Sequence, residues 1–391
     1  MTQLNHNPIS QRVQAIPASG IRKYFDLISS MEGVISLGVG EPDFVTPWHI
    51  SEAGIYAVEK GYTMYTSNYG LIELRQEIAK HLKKRYGLEY DPNTEILVTT
   101  GSSEALDLAM RAILDPGQEV IIPDPSYVAY MPYTILAGGT VVPVPTYVEN
   151  DFKVKASDIK DRVTAQTKAV LLGYPNNPTG TVLDRNDLEG IAAVIRNHNL
   201  TVISDDIYDR LVYDCEHTCL ASLPGMREHT ILINGFSKAY AMTGWRIGYA
   251  AAPAHIIEAM MKVHQYVMMC APIMAQMAAI EALKNGEEAV QAMVSDYDHR
   301  RKVIVKGLNE IGLTCFEPKG AFYAFPSVKS TGLSSEDFCE KLLVEEKVAV
   351  VPGSAFGEFG EGYIRCCYAV GLPDIEEALA RMKQFVERNR K

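Results

Sequence analysis

Ile233-Asn234-Gly235-Phe236-Ser237-Lys238, followed by Thr243-Gly244-Trp245-Arg246-Ile247-Gly248, is the stretch on which the reading of this chain turns. An apolar, strand-like run from Thr230 to Ile233 delivers one lysine between small residues, and a fixed cation comes eight residues later at Arg246. A lysine held this way is suited to form a Schiff base with an aldehyde, and the arginine is suited to grip a phosphate. Taken alone, most such pairs are a surface lysine on a Gly-containing loop with an unrelated arginine, a reading that does not explain the other motifs. The rest of the chain has to decide between the two.

On either side of this stretch, strand-like and helix-like segments alternate, the pattern of a largely parallel sheet with helices on both faces. Strands are expected at Glu95 to Thr100, Glu119 to Ile122, Thr140 to Val144, Ala169 to Gly173, Thr201 to Ser204, Thr230 to Ile233 and Trp245 to Ala251. Helices are expected at Ser102 to Leu114, Ala129 to Leu136 and Arg185 to Asn197, after an amphipathic helix at Ile72 to Tyr86 with Leu74, Ile78 and Leu82 on one stripe. A long helical region, Ala254 to Ile311, breaks near Pro272 and Asn285-Gly286. Beyond it a smaller alternation (strands at Ala321 to Phe325, Val348 to Val351 and Tyr363 to Tyr368, helices at Ser334 to Glu346 and Pro373 to Arg388) reads as a second α/β domain. The expected division is an N-terminal segment, 1–44, packing with the small domain, a large domain, 45–290, and a small C-terminal domain, 291–391.

The 391 residues, 47% hydrophobic and 22% charged, are ordinary for a globular enzyme of two domains. A net charge of −11 argues against a nucleic-acid-binding or anionic-membrane surface, and it draws attention to every arginine in a motif. Seven scattered cysteines fit a reducing compartment better than a disulfide framework. Cys215-Glu216-His217-Thr218-Cys219 has no second ligand pair nearby and reads as a polar loop rather than a metal site, while the adjacent Cys366 and Cys367 suit alternate faces of a buried strand. Met1 to Pro17 lacks the apolar core of a signal peptide, and Val267 to Ile280 is interrupted and too short to span a bilayer. A cytoplasmic protein is expected.

Gly101-Ser102-Ser103-Glu104 comes after a strand and opens a helix, so free backbone N–H groups, a helix dipole and two hydroxyls face one place. That arrangement binds an anion and equally serves as a helix cap. Pro175-Asn176-Asn177-Pro178-Thr179-Gly180 lies past another strand's carboxyl end, where open α/β sheets build their sites. Asp205 closes the run Thr201 to Ser204, with Tyr208 three residues on. A carboxylate there is either a cap for the next helix or the partner of a protonated ring nitrogen.

Together with Ser36-Leu37-Gly38-Val39-Gly40-Glu41-Pro42-Asp43-Phe44, Tyr65 and Arg365, these pieces resemble the class I pyridoxal-phosphate aminotransferases of fold type I over essentially the whole chain. The resemblance implies a mostly parallel, seven-stranded-type sheet between helices in the large domain. It implies that Lys238 binds pyridoxal 5'-phosphate and shuttles the substrate's α-proton, and that Asp205 pairs with the pyridine nitrogen. Asn177 and Tyr208 would hydrogen-bond the ring oxygen and Tyr127 stack on the ring. Ser102, Ser103 and Arg246 would hold the phosphate, with Tyr65 reaching in from a second subunit of a homodimer. Gly235 stands where many relatives have serine, and Ser237 would compensate. Arg365 would clamp the substrate's α-carboxylate as a bidentate fork, aided by the backbone of Gly40. No metal is implied.

The expected reaction moves an amino group from an L-amino acid to a 2-oxo acid, most often 2-oxoglutarate, in two half-reactions. Some dedicated dicarboxylate enzymes take a second arginine from the partner subunit, and the corresponding stretch here, His264 to Pro272, has none. The branch resembled most is that of prokaryotic aromatic and broad-range aspartate-type enzymes, so an aromatic or broad-range donor is expected. Aspartate, alanine and N-acetyl-diaminopimelate are the alternative donors, and carbon–sulfur lyase chemistry is the alternative outcome. A nicotinamide dehydrogenase is disfavoured because no Gly-x-Gly-x-x-Gly comes after the first strand of the sheet. A DNA-binding regulator is disfavoured by the roughly 40 residues before the first motif, too few for a further domain.

Overall fold

The computed structural model describes residues 8–17 and 31–390; the remainder of the expected 1–44 segment lies outside the described residues. Seven strands form the main sheet: β2 (Ile96–Thr99), β3 (Glu119–Asp124), β4 (Thr140–Pro145), β5 (Thr167–Leu172), β6 (Thr201–Asp205), β7 (Thr230–Gly235) and β8 (Gly248–Ala251), after a short β1 (Ile35–Ser36) that lies elsewhere. Their order is β2-β8-β7-β6-β5-β3-β4, and within this sheet only β8 runs against its neighbours. Helices cover both faces, which is why the central strands read as unbroken apolar runs rather than alternating ones. Val202, Ile203, Ile231, Leu232 and Ile233 are all fully buried.

Local chemistry sets the element ends. Gly87 takes a left-handed conformation (φ 68°) that closes helix Ile72–Tyr86. Asp184 and Asp187 form a reciprocal capping box that opens helix Arg185–His198.

The structure departs from two sequence expectations. Trp245 to Ala251 is not one strand: Thr243–Trp245 is a 3₁₀ turn, Arg246 is left-handed (φ 53°), and β8 begins only at Gly248. The turn brings the Arg246 guanidinium back over Gly101, where a strand would carry it away; a Cβ on Gly101 would lie 2.8 Å from it. Val348 to Val351 is likewise divided. β10 (Val348–Ala349) pairs in parallel with β1, whereas β11 (Val351–Pro352) joins β9 (Tyr323–Ala324) and β12 (Ile364–Cys367) in the order β11-β12-β9.

Cys366 and Cys367 occupy the central strand of that three-stranded sheet, and both are fully buried. Helix Glu287–Glu310 runs through the boundary expected at 290/291. The Cys215–Cys219 stretch is less polar in its setting than its composition suggests. Cys219 is fully buried, and the His217 side chain, 5% exposed, bonds Asp206 at 3.1 Å. Among the described residues no group of His, Cys, Asp and Glu is arranged to hold a metal, and no helix is long and apolar enough to cross a membrane.

Candidate active site

The carboxyl ends of β5, β6 and β7 open onto a cavity of about 390 Å³. Its walls include Gly40, Ser102, Ser103, Tyr127, Asn177, Asp205, Tyr208, Ser237, Lys238, Arg246 and Arg365. Of the residues the resemblance selects, Tyr65 lies apart from this lining, 78% exposed on the surface.

Lys238 comes shortly after β7, and its Nζ donates to the Gly40 carbonyl at 2.6 Å. Burial strips water from the ammonium and brings its pKa down to about 8. This suits an amine that must be uncharged to attack a carbonyl. Asp205, the last residue of β6, is 5% exposed and accepts from the Tyr130 hydroxyl at 2.9 Å and the Ile207 amide at 3.4 Å. Burial pushes its pKa up to about 6 against the pull of those two donors. The carboxylate makes no ion pair among the described residues, so a cation at its open side would stabilise it.

Across the cavity, Arg365 on β12 donates to Asn177 Oδ1 at 2.9 Å and to the Gly38 carbonyl at 2.6 Å. Its buried Nε has no partner among the described residues. The guanidinium rests against the rings of Tyr323, 4.5 Å from its centroid, and Phe356, 4.9 Å. Tyr208 and Tyr323 share a 2.7 Å hydroxyl contact. At the other end, Ser102 and Ser103 open helix Gly101–Ile113, and Arg246 lies beside them. Gly248 is obligatory in this cup, since a Cβ there would approach the Ser102 amide at 2.6 Å.

Sequence reasoning missed Tyr130 and Tyr323. Each reads only as an apolar position of an element, and neither spacing nor motif marks it. Two backbone carbonyls of the Gly38–Gly40 segment hold the cations of the site, that of Gly38 meeting Arg365 and that of Gly40 meeting Lys238.

A mostly parallel α/β sheet whose cavity gathers a buried lysine, an aspartate without an ion pair, two serines at a helix start and two arginines has the groups an enzyme needs to hold an anionic aldehyde and a carboxylate. Residues 32–382 match the family "Aminotransferase class I and II", and the chain belongs to it. It is 56% identical over 380 residues to the putative aminotransferase YugH of Bacillus subtilis (strain 168), with 97% of this chain and 98% of that one covered. It is 50% identical over 381 residues to an aspartate aminotransferase of Pyrococcus abyssi, with 97% and 98% covered. Its fold superposes on the crystal structure of an aromatic aminotransferase from Pyrococcus horikoshii with a TM-score of 0.90 at 48% identity, covering 94% and 99% of the two chains.

Enzymes of this family use pyridoxal phosphate. The residues present fit that group: a buried carboxylate without a cationic partner, a lysine with a lowered pKa, and a glycine-lined cup with two hydroxyls and a guanidinium.

Proposed function

We propose that this aminotransferase binds pyridoxal 5'-phosphate at Lys238 and moves the amino group of an aromatic or broad-range L-amino acid to 2-oxoglutarate. The observation that supports this best is the convergence of Lys238, Asp205, Arg246 and Arg365 on one cavity. When bound, the cofactor supplies an aldehyde for the amino group and an electron-withdrawing ring that acidifies the α-carbon.

The protein's own groups do the rest. Arg246, Ser102 and Ser103 would hold the phosphate, and the Asp205 carboxylate would favour the protonated form of the pyridine nitrogen. Tyr127, Asn177 and Tyr208 would contact its ring, Asn177 being fixed by Arg365 at 2.9 Å. Arg365 holds the substrate's carboxylate through its free N–H groups and so orients the α-carbon towards Lys238. Lys238, uncharged above about pH 8, would take the α-proton at Nζ and give it up away from the α-carbon, since returning it there would only exchange or racemise the substrate.

The donor preference rests on charge. Each cation lining the cavity already has a task in this scheme, and the acidic side chain of Glu41 also lines it. A donor with a second carboxylate finds no spare cation in this lining.

The site is completed, in this reading, by a homodimer. Trp48, Ile55, Tyr56, Met64 and Tyr65 are exposed, as are Tyr266, Val267, Met268 and Met269. The first group lies on and after helix Trp48–Glu59, which packs against the helix that comes after the second, Ile273–Asn285. A second copy of the chain covering both would bring Tyr65 to its neighbour's phosphate cup. All seven cysteines are free thiols, in keeping with work in the cytoplasm.

The test is absorbance of the cofactor-loaded enzyme with tyrosine, phenylalanine, aspartate or alanine added singly, then coupled turnover with 2-oxoglutarate. Tyrosine or phenylalanine should discharge the long-wavelength band at least as fast as aspartate. Much faster turnover of aspartate would sink the aromatic reading, and pyruvate with ammonia appearing without an acceptor would favour lyase chemistry.

A further inference from the structure

We propose that Asp124 is a positioning residue for the substrate carboxylate: it grips the turn at Gly357–Phe359 and thereby holds the Phe356 ring against the Arg365 guanidinium. The inference rests on the reading of Arg365 as the carboxylate clamp.

Asp124 ends β3, outside the cavity lining, and is tied into the sheet through its carbonyl, which accepts from the Thr146 amide at 2.8 Å and hydroxyl at 3.0 Å. Its carboxylate accepts from two successive backbone amides across a sequence gap of more than two hundred residues, Glu358 at 3.2 Å and Phe359 at 3.3 Å. The residue before them is Gly357, at φ 135°, where a side chain would collide with that carboxylate. Only glycine lets the carboxylate approach this closely. One residue earlier the Phe356 carbonyl accepts from the Ser126 amide at 3.0 Å, so the β3 end fixes the turn at both its ends.

The Phe356 ring, 4% exposed, is thereby set 4.9 Å from the guanidinium centre. A bidentate clamp works only while its plane is fixed. Asn177 and Gly38 fix two nitrogens, Nε has no hydrogen-bond partner among the described residues, and the flanking rings of Tyr323 and Phe356 supply the remaining restraint. Loosening the turn lets the plane tilt, which weakens both substrates through the one group they share.

The experiment is steady-state kinetics of cofactor-loaded Asp124→Asn, Phe356→Leu, their double variant and Arg365→Lys, using the fastest donor and 2-oxoglutarate, with melting and a pyridoxal phosphate titration alongside. Asp124→Asn keeps the side-chain volume but sets an N–H₂ against one backbone amide. It should raise KM for donor and acceptor alike by about tenfold with kcat changed by less than about twofold, and leave cofactor affinity unchanged. The double variant should be no worse than the worse single one, because both substitutions act through the same ring.

KM values unchanged in either single variant, or penalties that multiply in the double, overturn the proposal. Should Asp124→Asn fail to fold, Phe356→Leu decides on the same KM criterion. If Arg365→Lys itself leaves KM unchanged, the clamp reading falls and this inference with it. If Arg365→Lys raises KM while Asp124→Asn does not, only this inference falls.

Discussion

Asp205 and Asp206 are neighbours at the end of β6, and they face opposite sides of the same sheet. Asp206 points to the underside, where His217 meets it at 3.1 Å and the Ser204 hydroxyl at 2.6 Å. Burial works against the charged imidazole there, yet the bond to Asp206 outweighs it and the His217 pKa is raised. Asp205 points to the cavity, has only the Tyr130 hydroxyl and one amide, and is pushed up to about 6 by burial. One carboxylate is satisfied by the fold; the other is held in readiness for a cation the fold does not provide. Chemistry concentrates where folding leaves a demand unmet.

The largest expected effect breaks the functional half of this contrast. Asp205→Asn should lower turnover by about 10³-fold, on the order of 4 kcal/mol in the barrier, with the fold retained, as read by circular dichroism and single-turnover kinetics. A fall of less than about tenfold would mean that Asp205 does not face the ring nitrogen.

Next in size is the structural half. Asp206→Ala strands His217 in the interior and should cost about 3 kcal/mol in urea unfolding, with turnover little changed. The folded pKa of His217 lies above its unfolded value. Its contribution is therefore complete below about pH 6.5 and is lost as pH rises through the folded pKa. The stability gap between wild type and variant should be wider at pH 6 than at pH 9, and a gap that grows with pH would contradict the pairing.

The smallest effect sharpens the comparison. The folded pKa of Asp205, about 6, exceeds the ordinary aspartate value, so without cofactor its ionisation costs stability increasingly from about pH 4 and in full above about pH 6. Cofactor-free Asp205→Asn should thus be more stable than wild type at pH 7.5 by on the order of 2 kcal/mol, and the advantage should vanish near pH 4. Equal melting temperatures at pH 7.5 would show that the carboxylate is already compensated.

Much of this was legible in the chain. The central strands announced themselves because both faces are buried and the apolar runs are continuous, and the helices because Leu74, Ile78 and Leu82 recur at helical spacing. Lys238 and Arg246 stood out through one long motif, Asp205 and Asn177 only through the family resemblance, and all four line the same cavity. Tyr130, Tyr323 and His217 were not, since each is defined by what faces it across 75, 42 and 11 residues of chain respectively (Asp205, Arg365 and Asp206). The division of Val348 to Val351 escaped for a similar reason. Strand propensity there is real, but which sheet each half joins is decided by β1 and β12.

The cysteines carry a practical consequence. Cys219, Cys315, Cys339, Cys366 and Cys367 are buried, which shields them from alkylating dyes and also raises their pKa, that of Cys367 to about 11. Cys215 and Cys270 are only partly enclosed. Cys270 sits at the end of the exposed Tyr266–Met269 stretch, so a fluorophore there, with Cys215 replaced, turns the surface that would meet a second copy into its own reporter.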